Sequence, residues 1–177
     1  SATATSPTFT EDASAQTLFS GASVSVVEAG QAIKSLTFTV SGLQNGSAEQ
    51  ISVDGSLISL ANGTGTTTTN GMTYTVSVVS GTATIVLDKA AGVSTANVAS
   101  LINSMTYQNT SQDPTAGNRV VTLTQIKDTG GVANGGVDTT AVSIASTVAV
   151  NAVNDAPILS ATATSPTFTE DASAQTL

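Results

Sequence analysis

Apolar and polar side chains alternate along several short runs of this 177-residue chain. In residues 34–41, for example, Leu36, Phe38 and Val40 are separated by single threonines. An alternation with a period of two residues indicates a β-strand that buries one face. The same pattern predicts eight strands, at residues 6–10, 23–27, 34–41, 49–53, 72–79, 82–87, 119–126 and 140–150.

Turn signals separate many of these runs. A glycine preceded by Asn, Asp or Ser accepts the positive φ angles that tight hairpins require. Such pairs occur at Asn45-Gly46, Asp54-Gly55, Asn62-Gly63, Asn70-Gly71 and Ser80-Gly81. Because tight hairpins join antiparallel neighbours, we predict an all-β fold in which antiparallel strands form a sandwich.

One segment follows a helical period instead. Val98, Leu101, Ile102 and Met105 are spaced as on one face of a helix, and Ser94 precedes them. A serine hydroxyl at this position can cap the first turn of a helix. The sequence therefore predicts one short helix within the β fold.

The first and the last eighteen residues of the chain are identical. Residues 1–18 and 160–177 both read SATATSPTFTEDASAQTL, so the sequence restarts after a unit of 159 residues. A unit of this length can bury one core. We predict one domain at 1–159, with a C-terminal linker at about 149–159, and the start of the next identical repeat at 160–177. Tandem copies provide length or valency, which favours a structural or adhesive role.

The charge of the chain narrows the choice of partners. Twelve acidic residues against four basic ones give a net charge of -8, and the chain has no His and no Cys. The negative charge repels nucleic acid and anionic bilayers and favours cations. We expect no enzymatic activity, because no residue pattern would activate a nucleophile. No run of apolar residues is long enough to predict direct membrane insertion.

Several oxygen-bearing side chains lie at predicted strand ends or in the linker. Calcium takes about six to eight oxygen ligands, so its sites gather carboxylates and carbonyls from several loops. The candidate metal ligands are Glu11, Asp88, Asp128, Asn154, Asp155 and, in the second copy of the repeat start, Glu170.

The linker carries the most specific pattern in the chain. The run Val153-Asn154-Asp155-Ala156-Pro157 resembles the linker of bacterial cadherin-like repeats, which occur in large secreted adhesins of the RTX and Bap-like kinds. Asp128-Thr129-Gly130 is similar to a late Asp-x-Gly segment of such repeats, and residues 112–119 also resemble a stretch of them. The Phe-Thr-Glu-Asp runs that contain Glu11 and Glu170 are similar to the end of their first strand.

This resemblance implies a fold and a set of ligands. The fold would be an antiparallel Greek-key β-sandwich, cadherin-like or immunoglobulin-like. Glu11, Asp88, Asn154 and Asp155 would meet at the C-terminal end and hold Ca2+ there. Asp128 would face the linker of the preceding repeat. The resemblance also implies an extracellular location on a bacterial cell surface.

The resulting hypothesis is a calcium-rigidified extender repeat of a large adhesin, which projects a distal binding region and has neighbouring identical repeats as partners. One alternative is a subunit of an extracellular filament or biofilm matrix, in which copies of the chain contact one another. Another is an adhesive module that itself binds a glycan or a protein.

Overall fold

A computed structural model describes residues 1–174, which are mostly β-sheet with one short helix. The thirteen strands of this part of the chain are β1 Thr3–Ala4, β2 Thr8–Thr10, β3 Gln16–Thr17, β4 Phe19–Ser20, β5 Ile33–Ser41, β6 Glu49–Val53, β7 Ser56–Ser59, β8 Gly63–Thr66, β9 Thr73–Val79, β10 Thr82–Val93, β11 Thr106–Asn109, β12 Gly117–Asp128 and β13 Thr139–Asn151. The helix α1 is Thr95–Asn103, and single 3-10 turns occur at Gly46–Ala48 and Ala133–Gly135.

The strands form three sheets. One sheet has seven strands in the order β2-β13-β12-β5-β10-β9-β8, another has four in the order β3-β11-β6-β7, and β1 pairs with β4. This arrangement is consistent with the predicted all-β sandwich. Among the described residues no helix has the length and apolar character needed to cross a membrane.

The core contains side chains from both larger sheets. Phe38 of β5 and Val121 of β12 are buried in the seven-stranded sheet, and Tyr107 of β11 is buried in the four-stranded sheet. The rings of Phe9 and Tyr107 meet edge to face, with centroids 5.7 Å apart and planes at 87°. Since Phe9 belongs to β2, this contact joins the two sheets.

The predicted helix is confirmed. The Ser94 hydroxyl accepts a hydrogen bond from the backbone N–H of Asn97 at 3.2 Å, so it caps the first turn as expected. Val98, Leu101 and Ile102 face the core, because they recur at the helical period.

Two of the predicted hairpin turns show why their residues suit them. Asp54 and Gly55, with φ of 51° and 74°, connect β6 to β7, and Ser80 and Gly81, with φ of 48° and 72°, connect β9 to β10. Two consecutive positive φ angles match the right-handed twist of the paired strands.

One strand pair departs from the antiparallel prediction. β2 pairs with β13 in parallel, with Thr8 opposite Ala149 and Thr10 opposite Asn151. No short turn joins these strands, which come from opposite ends of the repeat, so the turn signals did not bear on their direction. Residues 1–10 follow the course of β13, and Ser6 N–H donates to the Ser146 hydroxyl at 3.1 Å.

The strand predicted at 23–27 is wrong for this chain. The structure assigns no strand there, although Val24 and Val26 pack against the core. The backbone N–H of Ser23 donates to the Ser1 carbonyl, and the N-terminal amino group of Ser1 donates to the Ser23 carbonyl, each at 2.8 Å. Beyond Ser23 no other described segment supplies a ladder partner, so the alternating residues remain unpaired.

A buried ion pair connects the two larger sheets. Arg119 of β12 donates through Nε to Oε1 of Glu49 of β6 at 2.5 Å, and both side chains are fully buried. The Tyr107 hydroxyl donates to the same oxygen at 2.9 Å. Backbone N–H groups of Gln44 and Asn45 donate to Oε2 at 2.9 and 3.2 Å. Burial, and then the neighbouring Glu49 carboxylate, raise the pKa of the Tyr107 hydroxyl.

The duplicated segment provides a matched pair of variants. Phe9 is 1% exposed, whereas Phe168, its equivalent in the second copy, is 65% exposed. We expect Phe9→Ala to lower the free energy of unfolding by about 3 to 5 kcal/mol, because it empties a core position. Phe168→Ala should change it by less than about 0.5 kcal/mol. Urea denaturation of the two variants measures both effects, and equal losses would contradict the assignment of the first copy to the core.

The ion pair yields a second prediction. Arg119→Met should destabilise the protein by about 3 to 5 kcal/mol, because it leaves the Glu49 carboxylate buried without its cation. The double variant with Glu49→Leu should lose less than the sum of the two single variants. Lys127→Met is the control, since Lys127 is partly exposed in its 3.0 Å ion pair with Asp138 and should matter far less. Chemical denaturation of the wild type and these four variants measures the losses, and additive losses in the double variant would argue against coupling.

Candidate metal site at the start of the linker

Glu11 lies where the chain leaves the domain. It directly follows β2, and its backbone N–H donates to the carbonyl of Asn151, the last residue of β13, at 3.0 Å. Asp12 then adopts a φ of 60°, and Ala13 N–H donates to the Thr10 carbonyl at 2.9 Å. The parallel pairing of β2 with β13 and this sharp turn fix Glu11 beside the first linker residues.

The side chain of Glu11 is bound to the linker on one side only. Its Oε2 accepts a hydrogen bond from the backbone N–H of Val153 at 2.7 Å, and the residue is 6% exposed. Its Oε1 is buried and accepts no hydrogen bond in the described structure. Neither ion pair found in residues 1–174 includes Glu11.

A buried carboxylate oxygen without a partner is costly, and native structures rarely leave one unsatisfied. A bound cation would satisfy it, because a hard divalent ion prefers carboxylate oxygens. Glu11 therefore fits the ligand type expected for calcium. This fit rests on the unpaired Oε1 atom and on its position next to the linker.

Asn154 and Asp155 follow Val153 in the linker and are exposed. The Asn154 side-chain amide donates to the Asp155 carbonyl at 3.0 Å. Because Val153 is anchored to Glu11, the structure brings these three predicted ligands to the same end of the domain. Within residues 1–174 no three acidic side chains are close enough together to hold a metal ion. A complete site would thus draw further oxygens from the linker backbone or from the next repeat.

Asp88 is not part of this group, and the expectation that it joins Glu11 is wrong. Asp88 of β10 pairs with Ser35 near the start of β5, whereas Thr82 pairs with Ser41 at its end. The linker leaves at the Ser41 end, since Val120 pairs with Ser41 and Gly117 pairs with Val150. The register of the seven-stranded sheet therefore puts Asp88 at the opposite end of the domain.

Asp128 lies at the same end as Asp88. It closes β12 opposite Ile33, and its Oδ1 accepts a hydrogen bond from Gly130 N–H at 2.7 Å. Nearby, the carbonyl oxygen of the Gln31 side chain is buried without a hydrogen-bond partner in the described residues. Asp128 is thus remote from the linker of its own repeat, and its position facing the linker of a preceding repeat stays a prediction.

Two residues of this far end were not singled out from the sequence. Gln31 precedes β5 without any motif, and only the fold shows that its amide contacts Gly130. Asp138 accepts a hydrogen bond from the Thr139 hydroxyl and pairs with Lys127, and these contacts hold the pKa of its carboxyl below the usual range. Neither residue belongs to a sequence motif, because the fold brings Gln31 to Gly130 and the pairing of β12 with β13 brings Lys127 to Asp138.

Glu170 is exposed in the second copy of the repeat start. Asp171 has a φ of 65°, and Ala172 N–H donates to the Thr169 carbonyl at 3.0 Å. This turn reproduces the one at Thr10–Ala13. The identical sequence therefore forms the same turn in both places, while only the first copy forms strands in the described residues.

Comparisons with known proteins identified no relative of the chain. No protein-family model, curated protein or solved structure matches the chain.

The orphaned oxygen leads to a prediction for Glu11. Without calcium, Glu11→Gln should leave the midpoint of unfolding unchanged or raise it, because it removes an unpaired buried charge. With calcium at about ten times its dissociation constant, the wild type should gain about 1.4 kcal/mol and the variant should gain little. Thermal melting in calcium and in chelator measures both. Glu170→Gln is the matched control and should behave as the wild type; a wild type that does not respond to calcium would contradict the site.

Proposed function

We propose that the chain is an extender repeat of a large bacterial surface protein, and that calcium bound at the linker stiffens the joint to the next repeat. In this proposal the fold is a cadherin-like or immunoglobulin-like Greek-key sandwich outside the cell, and it acts as a spacer with no catalytic role. The observation that carries the proposal is the course of the chain, which enters at one end of the domain and leaves at the other.

The entry point lies near the start of β13. Ser1 lines the same groove as Leu36, Ile126 and Thr140, which lie toward the end of the sheet that contains Asp128. The exit point is Asn151, at the other end of β13. Thr10 lies opposite Asn151, so residues 1–10 span the distance from entry to exit, which is roughly 30 Å at about 3.3 Å per residue. Identical repeats joined in this way would add length with each copy.

The flexibility of the linker determines how far an array of repeats extends. Residues 152–159 are exposed and form no strand or helix. A free linker of this length would let neighbouring repeats reorient, and the reach of the array would grow only with the square root of the number of joints. An ion held by Glu11, Asn154 and Asp155 would restrict the linker, since Glu11 already binds Val153.

The test is small-angle X-ray scattering of a protein with two complete repeats, in calcium and in excess chelator. We expect the radius of gyration to rise with calcium while the protein stays monomeric. Asp155→Ala in the first repeat should abolish the rise, because it removes a ligand at the joint. Glu170→Gln is the control, because Glu170 is the Glu11 equivalent of the second repeat and lies beyond the joint.

Two outcomes would contradict this proposal. Unchanged dimensions in calcium would reject the stiffened joint. Association of the two-repeat protein into larger species would instead favour a subunit of a filament or matrix.

A further inference from the structure

The unpaired segment 23–27 borders an apolar groove. Ser1 and Ser23 form an antiparallel pair, in which the Ser23 N–H donates to the Ser1 carbonyl and the amino group of Ser1 donates to the Ser23 carbonyl. The segment continues past Ser23 with alternating Val and Ser residues. The groove beside this pair has a volume of about 290 Å³. Its apolar lining comes from both sides of the core and includes Ala2, Val24, Leu36, Ile102, Ile126 and Ile144.

The linker ends in two large apolar residues that the domain does not bury. Ile158 is 95% exposed and Leu159 is 92% exposed. They precede Ser160, which is the second copy of Ser1. In a tandem array, therefore, the Ile-Leu pair of one repeat is joined directly to the residue that lines the groove of the next.

We propose that residues 157–159 of one repeat extend β1 of the following repeat, pair with residues 24–26 there, and place Leu159 in its groove. The inference goes beyond the proposed calcium site and rests only on the tandem order that the proposed function also assumes. It needs no cation. The occupant of the groove is thus a segment of the same chain, and the strand predicted at 23–27 forms once this partner is present.

The register follows from the Ser1–Ser23 pair. Continuing it places Leu159 opposite Val24. Opposed residues of antiparallel strands share a face of the sheet, and Val24 packs against the core. Leu159 would therefore point into the groove, while Ile158 would lie opposite the exposed Ser25.

The proline of the linker agrees with this register. Antiparallel pairs alternate between those that exchange hydrogen bonds and those that do not. Ser1–Ser23 exchanges them, so the Ile158–Ser25 pair would exchange them as well, and Pro157–Val26 would not. A proline has no N–H to donate, so at a position outside the hydrogen-bond ladder it removes no hydrogen bond.

The experiment adds the sequence of residues 152–159 in front of Ser1 of the full chain and works in excess chelator. We expect the melting temperature to rise by about 3 to 8 °C, because a leucine side chain becomes buried. Hydrogen exchange of the Ser25 amide should slow at least about tenfold, because its N–H would donate to Ile158 of the added segment. The Val24 amide points away from the added strand in this register and is the internal control.

Two variants of the added segment test the register. Leu159→Ser should remove most of the rise in melting temperature, whereas Ile158→Ser should keep most of it. No rise and no protection of Ser25 would overturn the inference, and equal losses in the two variants would overturn the register. Since calcium is absent throughout, these results are independent of whether the metal site exists.

Discussion

The buried carboxylate of Glu49 is the contact on which the pairing of the two larger sheets depends. It accepts hydrogen bonds from Arg119 on one sheet, from Tyr107 on the other, and from two backbone N–H groups of the loop before β6. Arg119 in turn donates to Asn45 and to the carbonyl of Thr115. A desolvated ion pair is tolerable only when its remaining hydrogen-bonding groups are also satisfied, and here both partners meet that condition. Arg119 pairs with Val148 of β13, so the network also holds the sheet close to where the linker leaves.

The buried carboxylate of Glu11 is paired less completely than that of Glu49. Both glutamates follow or begin a strand and both are buried, yet Glu49 has four donors around it and Glu11 has one. Glu49 has Arg119 as a basic partner, whereas no basic side chain pairs with Glu11 in the described residues. The domain thus pairs one buried carboxylate fully and leaves Oε1 of the other unpaired next to its exit point, which is where the proposed cation would bind.

Long strands and the capped helix were predictable because each carries its own periodicity over many residues. Strands such as β1, β3 and β4 were not, since two residues cannot show a period and their partners are distant in sequence. Glu11 was selected as a candidate ligand because its Phe-Thr-Glu-Asp run is similar to the end of the first strand of cadherin-like repeats, and its role stays a prediction. Asp88 was misplaced because the position of a residue along the chain does not tell which end of a sheet it occupies; the register of β10 against β5 does. The contact of the Gln31 side chain with Gly130 could not be predicted, because the two residues are about a hundred positions apart in the sequence.

The parallel course of residues 1–10 along β13 has a mechanical consequence. If an array of these repeats is pulled from its ends, the load enters each domain at Ser1 and leaves at Asn151, at opposite ends of adjacent strands. The hydrogen bonds between β2 and β13, together with those from Ser6 to Ser146 and from Glu11 to Asn151, are then loaded in shear. Strands sheared lengthwise must break several bonds at once, whereas strands peeled from one end break them singly. In such an array, the parallel pairing of β2 with β13 would therefore resist tension better than a pair of strands peeled from one end.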